Sequence, residues 1–323
     1  MPTKILVTGG AGFAGSHLIE EILRGTDWEV FSLDRLTYAG DLDRLAHLAQ
    51  TRIRCIHHDF RMPLGNGVLK QLDGVRFIVH NGAETHVRRS FANPEIFVQS
   101  NVTGTLNMLE AARVLSPEMF LYTSTDEVFG PVSDERKFEE DDALLPSNPY
   151  SASKAAGEML VRSYWRSFQL PVIITRTMNM FGERQHPEKF VPMVIRKLLS
   201  SEPVEIHTSP GGQIGSRQWL HARVQASAIL FLLQGAGKPG EIYHVSGEKH
   251  SNLEIAQIIA DILEVGMLPW FVNAFSEFPA HDLHYAIDGT KILRLRWNPP
   301  VDFLSSLSKT VLWSKEHREW LCE

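Results

Sequence analysis

Residues 4–15 have the sequence KILVTGGAGFAG. Its first five residues form an apolar, β-branched run that predicts a strand, and the pattern from Ala14 onward predicts an amphipathic helix. Gly9, Gly12 and Gly15 permit a tight turn and let backbone N–H groups approach a pyrophosphate at the helix N-terminus. Because glycine patterns also occur in ordinary turns, the strand–turn–helix context is what makes this one informative.

The same alternation continues through the first half of the chain. Strands are predicted at residues 4–8, 29–33, 52–57, 77–80, 119–124 and 171–175. Helices are predicted at residues 14–24, 42–49, 94–114 and 150–168. Strands that alternate with helices and are apolar along nearly their whole length predict a doubly wound parallel sheet, a Rossmann-type α/β fold.

An acidic residue follows the glycine-rich turn at the distance that a dinucleotide site requires. Asp34 ends the second predicted strand, where a carboxylate can hydrogen-bond both ribose hydroxyls and repel a 2′-phosphate. The sequence therefore predicts NAD rather than NADP, although Arg35 could weaken that preference. The alternative is that Asp34 is only a turn residue at a strand end. Asp59 and Phe60, after the third strand, are candidate contacts to the adenine.

A smaller C-terminal α/β lobe is predicted after about residue 181, where the pattern loosens. Its expected helices are 190–200, 224–233 and 253–263, and its expected strands are 204–207 and 241–245. We therefore predict an NAD-binding domain in residues 1–180, to which some later segments return, and a mainly substrate-binding lobe in residues 181–323. A ligand is expected in the cleft between them.

A tyrosine and a lysine, Tyr150 and Lys154, are four residues apart and so fall on one face of a predicted helix. A nearby ammonium lowers the pKa of a phenol, so Tyr150 could act as a base near neutral pH. Thr125, after the fifth strand, is placed to share the hydrogen bonds of this tyrosine. The spacing alone is common and more often reflects surface packing, but its place in a dinucleotide-binding fold makes it specific.

With these features the chain resembles the extended short-chain dehydrogenase/reductase superfamily and, within it, the dTDP-glucose 4,6-dehydratase family. The resemblance covers nearly the whole chain. Its motifs are at residues 7–18, 36–40 (LTYAG), 83–87 (AETHV), 101–105 (NVTGT), 124–130 (STDEVFG), 150–154 (YSASK), 187–190 (PEKF) and 281–288 (HDLHYAID).

Asp126 and Glu127 distinguish a dehydratase from other members of the superfamily. Epimerases and reductases need only the Tyr, the Lys and a Ser or Thr, whereas expelling water calls for an acid and a base. Two adjacent carboxylates in different surroundings can divide those roles. A solvated Asp-Glu pair at the start of a loop is the alternative interpretation.

The resemblance implies a reaction on a nucleotide sugar. Tyr150 takes the proton of the sugar 4-hydroxyl while hydride passes from C4 to NAD. Glu127 then removes the C5 proton, Asp126 protonates the departing C6 hydroxyl, and hydride returns to C6. The expected product is a 4-keto-6-deoxy sugar, and the cofactor ends each turnover as it began.

The resemblance also implies two sets of ligand contacts. Expected contacts to NAD come from Gly9, Gly12, Phe13, Ala14, Gly15, Asp34, Arg35, Leu36, Thr37, Asp59, Phe60, Ala83, Thr85, Ser124, Tyr150 and Lys154. Expected contacts to the substrate come from His86, Asn179, Glu188, Lys189, Phe190, Arg217 and His281.

The chain departs from the family pattern at the substrate end. The family has Arg where this chain has Phe278, two arginines where it has Leu283 and His284, and Asp where it has Gln218. Because these changes fall on nucleotide recognition, the nucleotide could be dTDP, UDP, GDP or CDP. The sugar could be glucose or a relative of N-acetylglucosamine.

Other functions of the same fold stay open at this point. A nucleotide-sugar epimerase or decarboxylase would share the tyrosine and lysine, but the carboxylate pair argues against it. A non-catalytic NAD-binding regulator could lose Tyr150 or Lys154 without penalty, whereas this chain has both.

Composition and charge exclude further classes. A formal net charge of -6 over 323 residues argues against nonspecific binding to nucleic acid or to an anionic membrane. Cys55 and Cys322 offer neither a disulfide framework nor paired metal ligands, and no metal is predicted. With no signal-peptide pattern and no membrane-spanning stretch, we expect a cytoplasmic protein. The resemblance implies that the helices at 94–114 and 150–168 pair with those of a second chain, so a homodimer is expected, although burial in the core alone could explain their apolar faces.

Overall fold

The computed structural model describes residues 2–132, 136–273 and 284–322, with a seven-stranded sheet at its centre. The strands are β1 (Lys4–Thr8), β2 (Glu29–Asp34), β3 (Ile53–His57), β4 (Val75–His80), β5 (Met119–Thr125), β6 (Val172–Thr177), β7 (Asn179–Phe181), β8 (Val204–Thr208), β9 (Ser216–His221), β10 (Ile242–Val245), β11 (Glu248–Ser251) and β12 (Pro269–Asn273). The central sheet is parallel throughout, in the order β10-β6-β5-β4-β1-β2-β3. Strand order runs outward from β1 in both directions, which confirms the doubly wound α/β fold.

Helices cover both faces of this sheet. They are α1 (Phe13–Gly25), α2 (Asn66–Gln71), α3 (Val87–Ala92), α4 (Pro94–Phe97), α5 (Gly104–Leu115), α6 (Pro149–Phe168), α7 (Phe190–Leu199), α8 (Ala222–Phe231), α9 (Asn252–Leu263), α10 (Thr290–Arg294) and α11 (Phe303–Glu316). Successive residues of β1 divide between two apolar cores, because side chains alternate across a strand. Ile5 and Val7 belong to the core that includes residues of α1 and α8, and Leu6 belongs to the core that includes residues of α5 and α6.

The helix predicted at residues 42–49 is wrong. The segment forms only a short 3-10 turn, Leu42–Leu45, followed by a second short turn at Gln50–Arg52. Asp41 caps the first turn by accepting a hydrogen bond from the N–H of Asp43. The Arg44 side chain turns inward and donates hydrogen bonds to backbone carbonyls outside this turn. The apolar residues of the segment therefore pack inward without forming a regular helix.

The helix predicted at residues 94–114 has the expected extent but is not uniform. It consists of α4, a π-helical turn at Val98–Thr103, and α5. Such turns insert an extra residue into a helix and often occur beside functional sites. The next residue, Gly104, packs against the ring of Phe60, where a Cβ would come within 2.5 Å.

The later part of the chain contributes to two regions. β10, predicted for the smaller lobe, extends the central sheet by pairing with β6. All four of its residues are buried. The remaining late strands form a three-stranded sheet, β11-β9-β7, and a two-stranded sheet, β12-β8. Apolar residues of α7, α9 and α11 form a third core beside them. The division at about residue 180 stays a prediction.

Candidate active site

A cleft with a volume of about 660 Å³ opens at the carboxyl ends of the central strands. Its walls include Gly9 after β1, Asp34 in β2, Asn81 after β4, Ser124 in β5 and Thr177 in β6. Ligands of doubly wound sheets bind outside these strand ends, where the strand order reverses. The cleft is therefore the candidate active site.

Most of the predicted site residues line this cleft. They are Gly9, Gly12, Phe13, Ala14, Asp34, Arg35, Thr37, Phe60, Ala83, Thr85, His86, Ser124, Thr125, Asp126, Glu127, Tyr150, Lys154, Asn179, Glu188, Lys189 and Phe190. Gly15, Leu36, Asp59 and Arg217 lie outside the lining. His281, together with the departures at Phe278 and Leu283, lies outside the described residues. Which of these residues contact a ligand stays a prediction.

The glycine-rich turn has no room for side chains. A Cβ on Gly15 would lie 2.0 Å from the carbonyl oxygen of Gly9, and Gly9 itself has a φ of +67°. Gly12 is the N-cap of α1, and the next two residues, Phe13 and Ala14, line the cleft. Since the first N–H groups of a helix have no partner within it, the turn fits a diphosphate.

Asp34 is fixed by the backbone on both sides of it. Its carboxylate accepts hydrogen bonds from the N–H of Ala11 at 3.0 Å and of Leu36 at 2.9 Å. Each oxygen keeps further lone pairs for ribose hydroxyls. Arg35 forms an ion pair with Glu84 and lies 3.8 Å from Asp59, so its charge is already opposed by two carboxylates. This arrangement disfavours a 2′-phosphate and fits NAD.

The two candidate adenine contacts differ in their surroundings. Phe60 is buried and lines the cleft. Asp59 instead turns back to Arg61, from which it accepts a hydrogen bond at 2.6 Å. That bond and the charge of Arg61 outweigh desolvation and lower the pKa of the Asp59 carboxyl, so this side chain remains ionised next to the cleft.

A buried chain of hydrogen bonds shapes the loop after β4. The Thr8 hydroxyl accepts from the N–H groups of Asn81 and Gly82, so it donates to His80 Nδ1 at 2.8 Å. His80 Nε2 then donates to the Thr105 hydroxyl at 3.2 Å. Burial, with a smaller effect of Lys154, lowers the pKa of His80 to about 3, which keeps the ring neutral as this pattern requires.

Asn101 joins the same loop to helix α6. Its carboxamide accepts from the Glu84 N–H and donates to the Glu84 carbonyl, both at 2.9 Å. It also donates to the hydroxyl of Ser153 in α6 at 2.9 Å. Asn101, the first residue of the motif at 101–105, therefore holds this part of the cleft wall against α6.

The start of α6 is set by a capping box. The Asn148 side chain accepts from the Ser151 N–H at 2.9 Å, and the Ser151 hydroxyl accepts from the Asn148 N–H at 3.2 Å. Asn148 also donates to Glu127 at 3.4 Å. The cap thus places Tyr150 in the first turn of α6, and it brings that turn next to the carboxylate pair.

The pKa of Tyr150 shifts in the direction opposite to that expected from its spacing to Lys154. Burial and then the charge of Glu127 raise it well above its ordinary value, while a hydrogen bond with Thr125 opposes them. Lys154 donates to the carbonyl of Thr123 at 2.6 Å and lies 4.2 Å from the ring centroid of Tyr122. Burial lowers the pKa of Lys154 to about 7, against the opposing charge of Glu158.

The two adjacent carboxylates have different surroundings, as their predicted roles require. Asp126 is buried, and its Oδ1 accepts from the Thr125 hydroxyl at 3.1 Å. Burial and then Glu127 raise the pKa of Asp126 to about 7, although Arg217 and Thr125 oppose the shift. Glu127 is less buried, and Asn148 donates to its carboxylate. Two carboxyl groups in different surroundings, one of them with a raised pKa, are the combination that elimination of water needs.

Several predicted substrate contacts gather at the loop before α7. His86 lies 3.6 Å from Glu188, and the ammonium of Lys189 lies 3.6 Å from the same carboxylate. Lys189 also donates to the Thr85 hydroxyl at 3.3 Å. Burial lowers the pKa of Lys189, although the charges of Glu188 and Glu127 oppose that shift.

Arg217, an expected substrate contact, and Gln218, a departure from the family pattern, contact other parts of the chain. The guanidinium of Arg217 lies 4.6 Å from the ring centroid of Tyr285, and its charge acts on Asp126. Gln218 accepts a hydrogen bond from the N–H of Ile287 at 2.9 Å. Gln218 therefore supplies an acceptor to the backbone, as an aspartate at that position could.

Sequence motifs did not point to Glu205 and His207, which line the cleft together with Arg88. Arg88 follows the fourth predicted strand on the substrate side, where it could also simply solvate the start of a helix. His207 lies 2.7 Å from Glu205, and Arg88 lies 3.6 Å from the same carboxylate. Alternation in β8 is the signal that could have found Glu205 and His207, since they share one face of that strand.

Comparison with known proteins places the chain in a family. A profile described as the NAD dependent epimerase/dehydratase family matches residues 5–246. The chain belongs to this family. It is 37% identical over 348 residues to dTDP-glucose 4,6-dehydratase of Escherichia coli, covering 98% of this chain and 94% of that protein. It is 40% identical over 310 residues to the low-salt glycan biosynthesis protein Agl12 of Haloferax volcanii, covering 95% and 97%.

A solved structure is also similar to this chain. DesIV, the dTDP-glucose 4,6-dehydratase of Streptomyces venezuelae with NAD and dTDP bound, matches with a TM-score of 0.91, 38% identity and 98% coverage of both chains. These comparisons confirm the predicted family, the fold and the NAD cofactor, and they agree with the predicted dehydratase activity.

Residues 2–132, 136–273 and 284–322 contain no group of three or more His, Cys, Asp or Glu side chains that could hold a metal ion. Within the same ranges, no helix has both the length and the apolar character needed to cross a membrane.

Proposed function

We propose that the protein is a nucleotide-sugar 4,6-dehydratase that converts a dTDP-glucose-like substrate to the 4-keto-6-deoxy sugar. The observation that carries the proposal is the pair Asp126 and Glu127 in the cleft that also holds Tyr150. Burial raises the pKa of Asp126 to about 7, so at neutral pH this carboxyl can donate a proton while its neighbour accepts one.

Four side chains of the site take part directly in the proposed reaction. Tyr150 takes the proton of the sugar 4-hydroxyl, with Thr125 as its hydrogen-bond partner. The raised pKa of Tyr150 opposes this role, and the positive charge of NAD bound in the cleft would favour it by stabilising the phenolate. Glu127 removes the proton from C5 of the resulting ketone, and Asp126 protonates the C6 hydroxyl, which leaves as water. Bound NAD supplies the acceptor and donor of hydride for C4 and C6. A proton returned to C5 completes the product.

The chain's own residues are suited to hold the cofactor in place. The N-terminus of α1 would face the diphosphate, and Asp34 would face the adenosine ribose. Lys154 is anchored in the cleft wall by the Thr123 carbonyl, where it can bind the second ribose. We propose substrate contacts for five residues that line the same cleft, His86, Asn179, Glu188, Lys189 and Phe190.

Turnover on a panel of nucleotide sugars tests this function. The purified protein with NAD would be incubated with dTDP-, UDP-, GDP- and CDP-linked glucose and with UDP-N-acetylglucosamine, and products would be analysed by mass spectrometry. We expect loss of one water, fastest with dTDP-glucose. A product of unchanged mass would instead indicate an epimerase, and no product at all despite bound NAD would indicate a non-catalytic protein.

The rate of water loss should depend on the protonation of Asp126. Because the acid must carry a proton, and burial raises its pKa to about 7, the protonated fraction falls as pH rises through that value. We expect the elimination rate in a single turnover to decrease about tenfold per pH unit above pH 8. A rate that stays constant between about pH 7 and pH 9 would exclude Asp126 as the acid.

We also propose that the protein is a cytoplasmic homodimer that pairs through α5 and α6. Exposed apolar side chains on these helices include Leu106, Val114, Met159 and Phe168, whose exposed fractions range from 38% to 67%. The resemblance to the dTDP-glucose 4,6-dehydratase family implies pairing through the corresponding helices. Cell fractionation would test the proposed cytoplasmic location. Recovery of the protein in the membrane or secreted fraction would contradict that location.

Light scattering tests the dimer. We expect a mass about twice the chain mass of 36.5 kDa for the natural protein and one chain mass for Met159→Glu at micromolar concentration. Leu312→Glu is the matched control, because Leu312 is 46% exposed but lies on α11. A monomeric natural protein, or a dimer lost only in the control, would contradict the proposed interface.

A further inference from the structure

Arg44 is a buried cation at the edge of the cleft that the proposed chemistry does not use. Its side chain is 3% exposed and lines the cleft. Burial lowers the pKa of the guanidinium, while the charges of Asp41 and Asp34 oppose that shift. Burying a charge is unfavourable unless hydrogen bonds satisfy it, so the bonds that this residue makes deserve explanation.

Those bonds reach three segments, two of which are distant from Arg44 in sequence. Arg44 Nη1 donates to the carbonyl of Ala11 in the glycine-rich turn at 3.1 Å and to the carbonyl of Ala39 in the loop after β2 at 2.9 Å. Its Nε donates to the carbonyl of Arg184, after β7, at 2.9 Å. One side chain therefore joins the turn that fits the diphosphate to two loops.

Two of these segments need such support. Leu36, at the start of the loop after β2, has a φ of 54°, and Arg184 has a φ of 63°. Residues other than glycine rarely adopt this left-handed conformation, and it persists only where surrounding contacts hold it. On its outer side, the Arg44 guanidinium lies 5.0 Å from the ring centroid of Trp320, which shields it further.

We propose that Arg44 is a positioning residue that holds these three segments closed around the adenosine end of NAD and so makes release of the cofactor slow. Slow release matters because the reaction uses the cofactor twice in one turnover, and its loss between the two uses would strand an unfinished sugar. Loops that must open before a ligand leaves control the dissociation rate. The proposal rests on NAD binding and not on the identity of the sugar.

Arg52 provides a matched control for this role. It also donates hydrogen bonds to two backbone carbonyls, of Leu23 and Thr26, but at the end of α1 away from the cleft. Arg44→Ala and Arg52→Ala each remove an arginine that binds backbone carbonyls. A purely structural role would make the two variants behave alike.

The experiment measures release of NAD from loaded protein, by exchange of labelled for unlabelled NAD, without any sugar present. We expect Arg44→Ala to release NAD at least about tenfold faster than the natural protein, and Arg52→Ala to stay within about twofold. Arg44→Lys keeps the charge but cannot reach three carbonyls, so it should fall between them. If Arg44→Ala does not fold, Arg44→Lys against Arg52→Lys carries the comparison.

Two results would overturn the proposal. One is natural-like NAD release by the folded Arg44 variants. The other is equally fast release by the Arg52 control, since that would mean that general loosening of the fold causes the loss. Because no sugar is present, either result leaves the proposed dehydratase reaction untouched, and failure of that reaction leaves the release rates meaningful.

Discussion

Glu127→Gln should slow the loss of water by about 10²- to 10⁴-fold, the range typical for removing a general base. The amide has nearly the same shape and can still accept the hydrogen bond that Asn148 donates to this side chain. Oxidation at C4 depends on Tyr150 instead, so reduced cofactor should form on addition of dTDP-glucose and persist. Absorbance of the reduced cofactor and mass spectrometry of the sugar would be followed together.

Glu127→Asp is the appropriate companion, because it keeps a carboxylate but moves it back by one methylene. We expect elimination by this variant to fall between the natural protein and Glu127→Gln. If Glu127→Gln loses water at the natural rate, Glu127 is not the base. If it forms no reduced cofactor at all, the substitution has disturbed the first step, and the assignment of separate roles to Tyr150 and Glu127 fails.

Glu158→Gln should lower the free energy of unfolding by about 3–5 kcal/mol, because it leaves a buried charge without its partner. Glu158 and Arg176 form an ion pair in which both side chains are fully buried. Arg176 also donates to the carbonyl of Glu140 at 2.9 Å, so it cannot simply turn outward. The pair fastens α6, which carries Tyr150 and Lys154, to strand β6 of the sheet.

Urea denaturation at saturating NAD measures this effect, since equal ligand occupancy keeps the comparison fair. Glu118→Gln is the control, because Glu118 pairs with Arg76 at 2.6 Å while both side chains are about half exposed. Exposed pairs contribute roughly 0–1 kcal/mol. Equal losses in the two variants would show that the buried pair has no special part in holding α6.

The fold could be predicted from the sequence because its signals are local. The β-branched run of β1, the glycines after it and the helix that follows determine one βα unit, and the same alternation repeats along the chain. The helix predicted at residues 42–49 failed for a tertiary reason. Arg44 is pulled toward carbonyls of Ala11 and Arg184, which no local pattern reveals.

The candidate catalytic residues could be predicted from local sequence signals as well, but the shifts of their pKa values could not. Tyr-x-x-x-Lys spacing places two side chains on one helix face, yet it does not show how deeply each is buried. Burial raises the pKa of Tyr150 and lowers that of Lys154 to about 7, both against the simple expectation from their spacing. The raised pKa of Asp126 likewise depends on its surroundings and not on its sequence neighbours alone.

In the proposed reaction, Asp126 and Glu127 remove water across C5 and C6 of a nucleotide sugar. Conversion of dTDP-glucose in deuterated water, followed by mass spectrometry and NMR of the product, tests it most directly. We predict a 4-keto-6-deoxy sugar that has lost one water and carries deuterium at C5, with no net consumption of NAD. A dehydrated product that keeps its original hydrogen at C5, or a product that has lost no water, would contradict the account.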